Sequence, residues 1–442
     1  MSSRSAVVSL FNSEGFKKYF QNTSWLMIER VVRMGVALLM AAYVARFLGP
    51  DRFGLLNYAM AVVAMLDTFL SLGIDRILVR ELVKNPERKR KLLGTVFGLK
   101  FFGAGTIQIL LGIWILAGGF DEYTAVMIMI IASGGFFRAF QVIDFFYQSQ
   151  VKSKHVVKIQ LIQVLGNALF KIILIQIDAP LHWFALSIAL EGIIIGGGLV
   201  YVYIKRGHRI LKWKFSWKLA GQLLKESWPL ILYNLAIQIQ VRIDQYMLGN
   251  MLGPEEVGHY SVAFRMIEAA TIIPMVLFSS FDPAITKGKM IGPEAYLQRR
   301  LNFYRLMFMA FLVTAIPLFF VAEFSIVLIF GEAYRTAGIL LSLFSIRLLF
   351  MSMGTAKSSF IVNESLFRYS LITAIVGAIV NIYANYLLIP DYGAEGAIIA
   401  TIISNTVNIF IIDFFYAPTR PNVLLLLRGM ASFWKLDIKG IK

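Results

Sequence analysis

The chain contains no cysteine, only four histidines and a small share of charged residues. The lack of cysteine excludes a disulfide framework and any site built on a thiolate. His155, His182, His208 and His259 lie far apart in the sequence, so we expect no histidine-based metal site. Charged residues make up 16% of the 442 residues, against about 25% in soluble domains. Polar residues are therefore too few to cover a water-soluble fold of this size.

Hydrophobic residues make up 58% of the chain and occur in runs of about 20, the length that a helix needs to cross ~30 Å of hydrocarbon. The sequence therefore predicts an all-α polytopic membrane protein. We place twelve transmembrane helices near residues 23–48, 55–74, 93–118, 122–147, 158–178, 181–203, 227–250, 257–281, 303–322, 336–356, 370–389 and 394–416.

The net charge of +17 follows the predicted topology. Most lysines and arginines fall in the amino-terminal segment, the even-numbered loops and the tail, as in residues 80–91 and 205–214. This asymmetry is typical of loops on the cytoplasmic side of a membrane. It predicts cytoplasmic termini and an attraction to anionic membrane lipids, and it disfavours a nucleic-acid partner. Residues 1–22 and 417–442 are amphipathic and too short to span, so we expect both along the cytoplasmic face.

One short phrase occurs twice. LGPDRFGLLNYA (48–59) returns as LGPEEVGHYSVA (252–263), at a constant offset of 204 residues. Gly49 and Gly253 suit a left-handed helix end, and Pro50 and Pro254 prevent its continuation. An acid follows each proline and can cap the next helix. Gly54 and Gly258 then allow the returning helix to approach closely. We therefore predict two structural hairpin turns, which join the first two spans of each half.

The offset of the repeat covers six predicted spans, so both halves cross the membrane in the same sense. Such a parallel repeat predicts two six-helix lobes with the substrate site near a central cavity. The predicted organisation is an N-lobe at 23–203, a basic linker at 204–226 and a C-lobe at 227–416.

Four stretches resemble a known family. They are ARFLGPDRFGLLNYA (45–59), RELVKNPERKRKLLGTVFGLK (80–100), IDQYMLGNMLGPEEVGHYSVAFRMIE (243–268) and LIPDYGAEGAIIATIIS (388–404). They are similar to Wzx-type O-antigen and polysaccharide flippases of the multidrug/oligosaccharidyl-lipid/polysaccharide exporter (MOP) superfamily. The resemblance implies a MATE-like fold of twelve helices. It also implies translocation of undecaprenyl-diphosphate-linked oligosaccharide across the cytoplasmic (inner) membrane by alternating access through a cationic cavity.

Charged and amide side chains inside the spans are the candidates for a substrate site, because each is costly at mid-bilayer unless it is paired or hydrated. Asn234, Gln238, Arg242 and Gln245 follow one another at helical spacing and form one polar stripe. The substrate-binding candidates are Arg30, Arg33, Asn234, Gln238, Arg242, Arg265, Arg138, Lys171 and Arg347.

Most of these residues have a structural alternative. Arg30 and Arg33 share a helix face and can pair with Glu29. Asp244 and Arg265 reach similar depth and can pair with each other, which leaves Arg242 as the better substrate contact. The acids Asp67, Glu191, Asp244 and Glu268 are candidates for ion coupling or for neutralising an arginine.

Three functions fit the composition. A cationic cavity favours a lipid-linked oligosaccharide, because arginine matches phosphate oxygens. A multidrug exporter of the same superfamily is the alternative and requires acids for organic cations. A scaffold in a polysaccharide assembly complex would leave the intramembrane arginines unexplained. The sequence has no phosphate-binding glycine motif and no catalytic cluster, so we expect neither an enzyme nor a cofactor. The basic loops suggest a polysaccharide polymerase or a glycosyltransferase as partner.

Overall fold

The computed structural model describes residues 14–441, and it is helical almost throughout. Residues 1–13 of the predicted amino-terminal segment lie outside the described residues. The helices in chain order are α1 (Glu14–Leu66), α2 (Asp75–Lys84), α3 (Lys89–Leu116), α4 (Glu122–Arg138), α5 (Val142–Ser149), α6 (Lys154–Gln176), α7 (Leu181–Lys205), α8 (Trp217–Met251), α9 (Pro254–Ala270), α10 (Ile272–Ile291), α11 (Pro293–Phe330), α12 (Arg335–Asn363), α13 (Phe367–Thr406), α14 (Ile412–Phe415) and α15 (Arg420–Ala431).

Nine helical stretches among the described residues are long and apolar enough to cross a membrane. The prediction of an all-α multi-pass membrane protein is confirmed, whereas the count of twelve spans stays a prediction. Two of the nine contain a break, because Gly49 in α1 and Gly393 in α13 leave the helical conformation. Helix α8, which carries the predicted polar stripe, is not among the nine.

The chain divides into two compact units. The first comprises the described residues up to Val44 together with Val62–Asn234. Its apolar core lies among α2, α3, α5 and α7, and Leu78, Leu93 and Val142 are fully buried in it. The basic linker packs on this unit, where the Lys214 amide donates to the Arg90 carbonyl at 3.1 Å.

The second unit comprises Ala45–Ala61 and Leu235–Lys442. Phe303 and Met307 of α11 and Met353 of α12 are fully buried in its core. The short segment 45–61, predicted to belong to the N-lobe, is thus part of the second unit by its contacts.

The carboxyl-terminal tail is bound to the second unit. Leu425 and Leu426 of α15 are buried against α11. Arg305 of α11 donates to the Ser432 hydroxyl and the Lys435 carbonyl, each at 3.0 Å. The apolar face of this amphipathic tail is therefore covered by protein rather than by lipid alone.

The two repeated hairpin turns have matching backbone geometry. Gly49 has φ 73° and Gly253 has φ 101°, a region that favours glycine. Each glycine is followed by a proline, and Pro254 occupies the first turn of α9, where its missing N–H is tolerated. No side chain caps the start of α9, so the predicted cap from the acid is wrong there. Proline and glycine alone are enough to end one helix and start the next.

Gly54 and Gly258 approach each other's turn rather than their own helix. A methyl group on Gly54 would lie 1.7 Å from the Pro254 carbonyl oxygen, and one on Gly258 would lie 2.1 Å from the Pro50 carbonyl oxygen. The sequence predicts that each glycine lets the returning helix of its own hairpin approach closely; the close approach that the structure shows is to the other copy of the phrase. This crossing explains why residues 45–61 cluster with the second unit.

Candidate substrate site

Helix α8 does not present its polar stripe as one uniform surface. Gln245 is buried and donates to the Ser261 hydroxyl of α9 at 2.9 Å. Gln240, which is outside the predicted stripe, donates to the Ser404 hydroxyl of α13 at 2.9 Å. Asn234, Gln238 and Arg242 are half-buried. Part of the stripe thus joins helices, and part of it remains accessible.

Two arginines of the second unit converge on one aromatic ring. The Arg242 guanidinium lies 5.6 Å from the centroid of Phe264, and the Arg347 guanidinium lies 5.2 Å from the same centroid. Arg347 also lies 5.7 Å from the ring of Phe344. Only 8% of Arg347 is exposed. We call Arg242 and Arg347 the arginine pair.

The arginine pair is not neutralised by an acid. Among the described residues, no carboxylate lies within ion-pair distance of either guanidinium, and the Nε atom of each lacks a hydrogen-bond partner. A cation–π contact is worth about 0.5–2 kcal/mol, which does not offset the desolvation of a buried charge. Two cations that contact the same ring, with no acid at ion-pair distance, favour an anion as their missing partner.

Asp244 lies two residues after Arg242 on α8, and its hydrogen-bond donor Tyr260 lies four residues before Phe264 on α9. Only 1% of Asp244 is exposed. Its carboxylate accepts hydrogen bonds from Tyr260 at 2.5 Å, from Thr401 at 2.6 Å and from Asn385 at 2.7 Å. These donors come from α9 and from both parts of α13. Asp244 therefore fastens three helices through uncharged donors, instead of through the predicted partner Arg265.

Arg265 has another role. Its Nη2 atom donates to the Asn57 side-chain oxygen at 2.9 Å, and its guanidinium lies 5.8 Å from the ring of Phe53. Arg265 thus holds the segment 45–61 within the second unit. Glu268, one turn of α9 away, is exposed.

The cationic candidates in the core spans of the first unit are paired. Arg138 binds Asp67 through two hydrogen bonds of 3.1 and 3.0 Å. Lys171 lies 3.4 Å from Glu191, and Asn167 also donates to that carboxylate. These contacts neutralise Arg138, Asp67, Lys171 and Glu191 within the protein, and a paired side chain is a poor substrate contact.

In the first predicted span, residues 23–48, one of the two arginine candidates is paired. Arg33 forms an ion pair with Glu29 at 3.0 Å, although 53% of the Arg33 side chain is exposed. Arg30 is exposed. Lys100, buried in α3, lies 2.7 Å from Asp75. Of the nine candidates, the structure thus brings together Arg242 and Arg347.

Sequence reasoning missed the uncharged half of this site. The ring of Phe264 contacts both arginines, and the ring of Phe344 contacts Arg347. The Asp244 carboxylate accepts its hydrogen bonds from Tyr260, Thr401 and Asn385. Helical spacing contained one usable signal, because Tyr260 and Phe264 lie four residues apart and share a face of α9. Within residues 14–441 no group of three or more acidic, histidine or cysteine side chains could hold a metal ion.

The fold is that of a known class of membrane transporters. An inward-facing multidrug resistance MATE transporter superposes with a TM-score of 0.67 at 15% identity, over 92% of this chain and 99% of that one. The lipid II flippase MurJ, in an inward closed conformation, gives a TM-score of 0.69 at 13% identity, over 96% and 89% of the chains. A MOP superfamily transporter from Pyrococcus furiosus, described by a binding pocket of reversed polarity, gives 0.58 at 14% identity, over 97% and 98%. The chain therefore has the MOP fold, and these neighbours are transporters and flippases rather than enzymes.

The family can be stated more closely. The model of the polysaccharide biosynthesis protein family matches residues 19–289, and the chain belongs to that family. An uncharacterized membrane protein of Methanocaldococcus jannaschii is 23% identical over 436 residues, which cover 89% of this chain and 97% of that protein.

Proposed function

We propose that this chain is a flippase for undecaprenyl-diphosphate-linked oligosaccharide. It moves an O-antigen or polysaccharide repeat unit from the cytoplasmic to the periplasmic leaflet of the inner membrane. The observation that carries the proposal is the arginine pair: Arg347 is buried and Arg242 is half-buried, and no carboxylate of the described residues lies within ion-pair distance of either. Membership of the polysaccharide biosynthesis family and the shared fold of a lipid II flippase support the lipid-linked substrate.

The diphosphate is the part of the substrate that needs a protein partner. Guanidinium groups bind phosphate oxygens in a bidentate manner, and charge-assisted hydrogen bonds are about twice as strong as neutral ones. The Nε–H groups of Arg242 and Arg347 have no hydrogen-bond partner within the protein. Phe264 keeps both guanidiniums in place without using their N–H groups. The pair thus binds an anion without first breaking an ion pair.

The isoprenoid tail needs only an apolar surface. The second unit has an apolar groove of about 400 Å³ on α13, lined by Ile379, Val380, Tyr383, Ala384, Leu387, Leu388 and Ile403. Its lining residues Val380 and Ala384 directly precede Asn381 and Asn385 in the sequence. The groove suits a hydrocarbon chain that stays in the lipid phase while the polar head crosses.

The charge of the substrate suggests a driving force. A diphosphate of about −2 leaves an inside-negative cell favourably, by roughly 2.3 kcal/mol per charge per 100 mV. When the arginine pair neutralises the diphosphate, the loaded protein moves little charge across the field. The same potential then returns the empty, cationic site inward. The membrane potential therefore favours export at either step.

A multidrug exporter is the alternative, and the shared MATE fold favours it. An exporter of organic cations needs an accessible acid that is not already neutralised. Of the four candidate acids, Asp67 and Glu191 are each engaged by a cation, Asp244 is buried under three donors, and Glu268 alone is exposed. The charges therefore favour an anionic substrate.

Binding to the purified protein tests this choice. Native mass spectrometry of the protein in nanodiscs would measure saturable binding of an undecaprenyl-diphosphate-linked oligosaccharide, with a lipophilic phosphonium cation as competitor. We expect Arg347→Ala and Arg242→Ala each to weaken lipid binding by about 10- to 100-fold, because each loses a charge-assisted contact of about 1.5–3 kcal/mol. Arg428→Ala, which removes an exposed arginine from the same unit, is the matched control and is expected to bind like the wild type.

Each other outcome has a clear meaning. Binding that survives both substitutions would remove the arginine pair from the site but keep the flippase. Preferential binding of the phosphonium cation, with the lipid ignored, would assign the protein to the multidrug exporters.

A further inference from the structure

The carboxyl-terminal helix α15 covers a buried arginine of α11. Arg300 is 7% exposed, and Asn422 of α15 is 1% exposed. The Arg300 Nη2 atom and the Tyr304 hydroxyl both donate to the Asn422 side-chain oxygen. The guanidinium also lies 4.4 Å from the ring centroid of Phe360 and 4.9 Å from that of Tyr296. Arg300 and Asn422 thus form an enclosed site between α11, α12 and α15, which we call the tail site.

The tail site holds a positive charge without an acid. Across residues 14–441, no carboxylate lies within ion-pair distance of Arg300. The acids that follow α12 and α13 bind other cations: Glu364 lies 3.0 Å from Lys289, and Asp413 lies 2.8 Å from Lys357. Contacts with aromatic rings do not offset the loss of water around a buried charge. The guanidinium of Arg300 therefore needs an anionic partner.

Two buried hydrogen-bond donors in the tail site have no partner. They are the Nε atom of Arg300 and the Nδ2 atom of Asn422, and neither makes a hydrogen bond within the described part of the chain. Because arginine only donates, the oxygen of Asn422 has to face it, which leaves the amide nitrogen unused. A buried donor without an acceptor is costly, so both donors call for an acceptor from outside the protein.

The start of α15 adds to the positive potential of the tail site. Asn422 lies in the first turn of this 12-residue helix, which contains no acid, and the cap residue Thr419 makes no side-chain cap hydrogen bond. The amino end of a helix carries a partial positive charge. An aspartate in this position would match both that end and Arg300. Asparagine has nearly the same shape but no charge, so it leaves the negative charge to a ligand.

We propose that the tail site binds one small inorganic anion, such as chloride, and that the bound ion fastens the tail to α11. The Arg300 Nε–H and Asn422 Nδ2–H groups donate to the ion, and the ion neutralises the guanidinium. Because only 7% of Arg300 is exposed, the site suits a single ion better than a lipid headgroup. The tail site shares no residue with the arginine pair and does not depend on the proposed transport function.

Cysteine labelling of the tail tests the anion on a chain that has no native cysteine. Val423 follows Asn422 and is 2% exposed, so the thiol of Val423→Cys reacts with a water-soluble maleimide only when the tail opens. The protein in an uncharged detergent is labelled in sodium gluconate and in sodium chloride at the same ionic strength. We expect labelling about tenfold slower in chloride, once its concentration is about ten times the Kd.

Two substitutions are expected to abolish the chloride effect in opposite ways. Arg300→Gln keeps a polar side chain but loses the charge, so labelling is expected to be fast in both salts. Asn422→Asp supplies the missing negative charge from the protein, so labelling is expected to be slow in both salts. Arg428→Gln removes an exposed arginine from the same helix and is the matched control, which is expected to keep the tenfold effect.

Two further measurements separate the tail site from other effects of salt. Ala104 in the first unit is 1% exposed, so Ala104→Cys is expected to label at one rate in both salts. Arg347→Ala disables the arginine pair and is expected to leave the chloride effect on Val423→Cys in place. Failure of the tail site and failure of the proposed flippase can therefore be told apart.

Three results would overturn the proposal. Chloride would not slow the labelling of Val423→Cys, the chloride effect would survive Arg300→Gln, or Asn422→Asp would label faster than its parent. Protection by nanodiscs of anionic lipid, with none by chloride, would also overturn it, because the site would then belong to a lipid headgroup.

Discussion

Replacement of Asp244 by asparagine tests whether this acid stabilises the fold or serves only to couple transport to an ion. The carboxylate is 1% exposed and accepts hydrogen bonds from Tyr260, Thr401 and Asn385. Hydrogen bonds to a charged group contribute about 1.5–3 kcal/mol each, against about 0.5–1.5 for neutral ones. Asparagine has nearly the same shape but no charge, and its amide nitrogen donates where one carboxylate oxygen accepted, so the three bonds together lose about 3 kcal/mol. We expect Asp244→Asn to lower the free energy of unfolding by about 3 kcal/mol.

Denaturant unfolding in detergent, followed by tryptophan fluorescence, measures this loss. Tyr260→Phe removes one donor and keeps the ring, so it is expected to cost about 1.5–3 kcal/mol. Combined with Asp244→Asn, it is expected to add less than its own value, because the two residues share one bond. Asp51→Asn, at an exposed acid, is the control for charge removal. A variant Asp244→Asn that is as stable as the wild type, or more stable, would refute the structural role.

Two further predictions concern the first unit. Arg138→Ala is expected to lower the free energy of unfolding by about 1–3 kcal/mol, because it leaves the Asp67 carboxylate unpaired. The double variant Arg138→Ala/Asp67→Ala is expected to lose less than Arg138→Ala alone, because it removes both charges. A double-mutant cycle in the same unfolding assay measures the difference. Asp121 accepts a hydrogen bond from the Thr124 amide at the start of α4 at 3.0 Å. Burial alone raises the pKa of Asp121, but the bonds from Thr124 outweigh it, so this pKa lies below its ordinary value. Asp121→Ala is therefore expected to cost about 1 kcal/mol near neutral pH. The stabilisation by the Asp121 carboxylate is complete above its pKa in the unfolded chain, about 3.9, and is lost as the pH falls through the lowered pKa of the folded protein. The wild type and Asp121→Ala are therefore expected to become equally stable at low pH. Thermal unfolding across pH measures this, and a stability difference that does not change with pH would refute the role of the cap.

The sequence predicts the helical membrane fold well, because long apolar runs have only one stable form in a bilayer. The repeated turns are predictable for a similar reason. Glycine followed by proline ends a helix whatever surrounds it, and Gly49 and Gly253 have the expected positive φ. Local chemistry decides these features, so one copy of the phrase is enough to recognise them.

Which charged residues are paired and which are left without an acid is not predictable from local sequence. Arg138 and Arg347 look alike in the sequence, since each is one arginine within an apolar span. Arg138 meets Asp67, 71 residues earlier in the chain, whereas Arg347 meets the rings of Phe264 and Phe344. Long-range packing decides which arginine is neutralised. The same holds for Gly54 and Gly258, whose partners lie about 200 residues away in the sequence.

The distribution of paired and unpaired charge carries the functional argument. In the first unit Arg33, Arg138 and Lys171 each meet an acid, which lets a charge stay in an apolar span at little cost. In the second unit the only buried acid near the arginine pair, among the residues described, is held by three uncharged donors. A structure that needed only stability would place an acid beside Arg347, as it does beside Arg138. The omission of that acid leaves positive charge available to an anionic ligand, and under the proposed function the diphosphate would supply the missing negative charge.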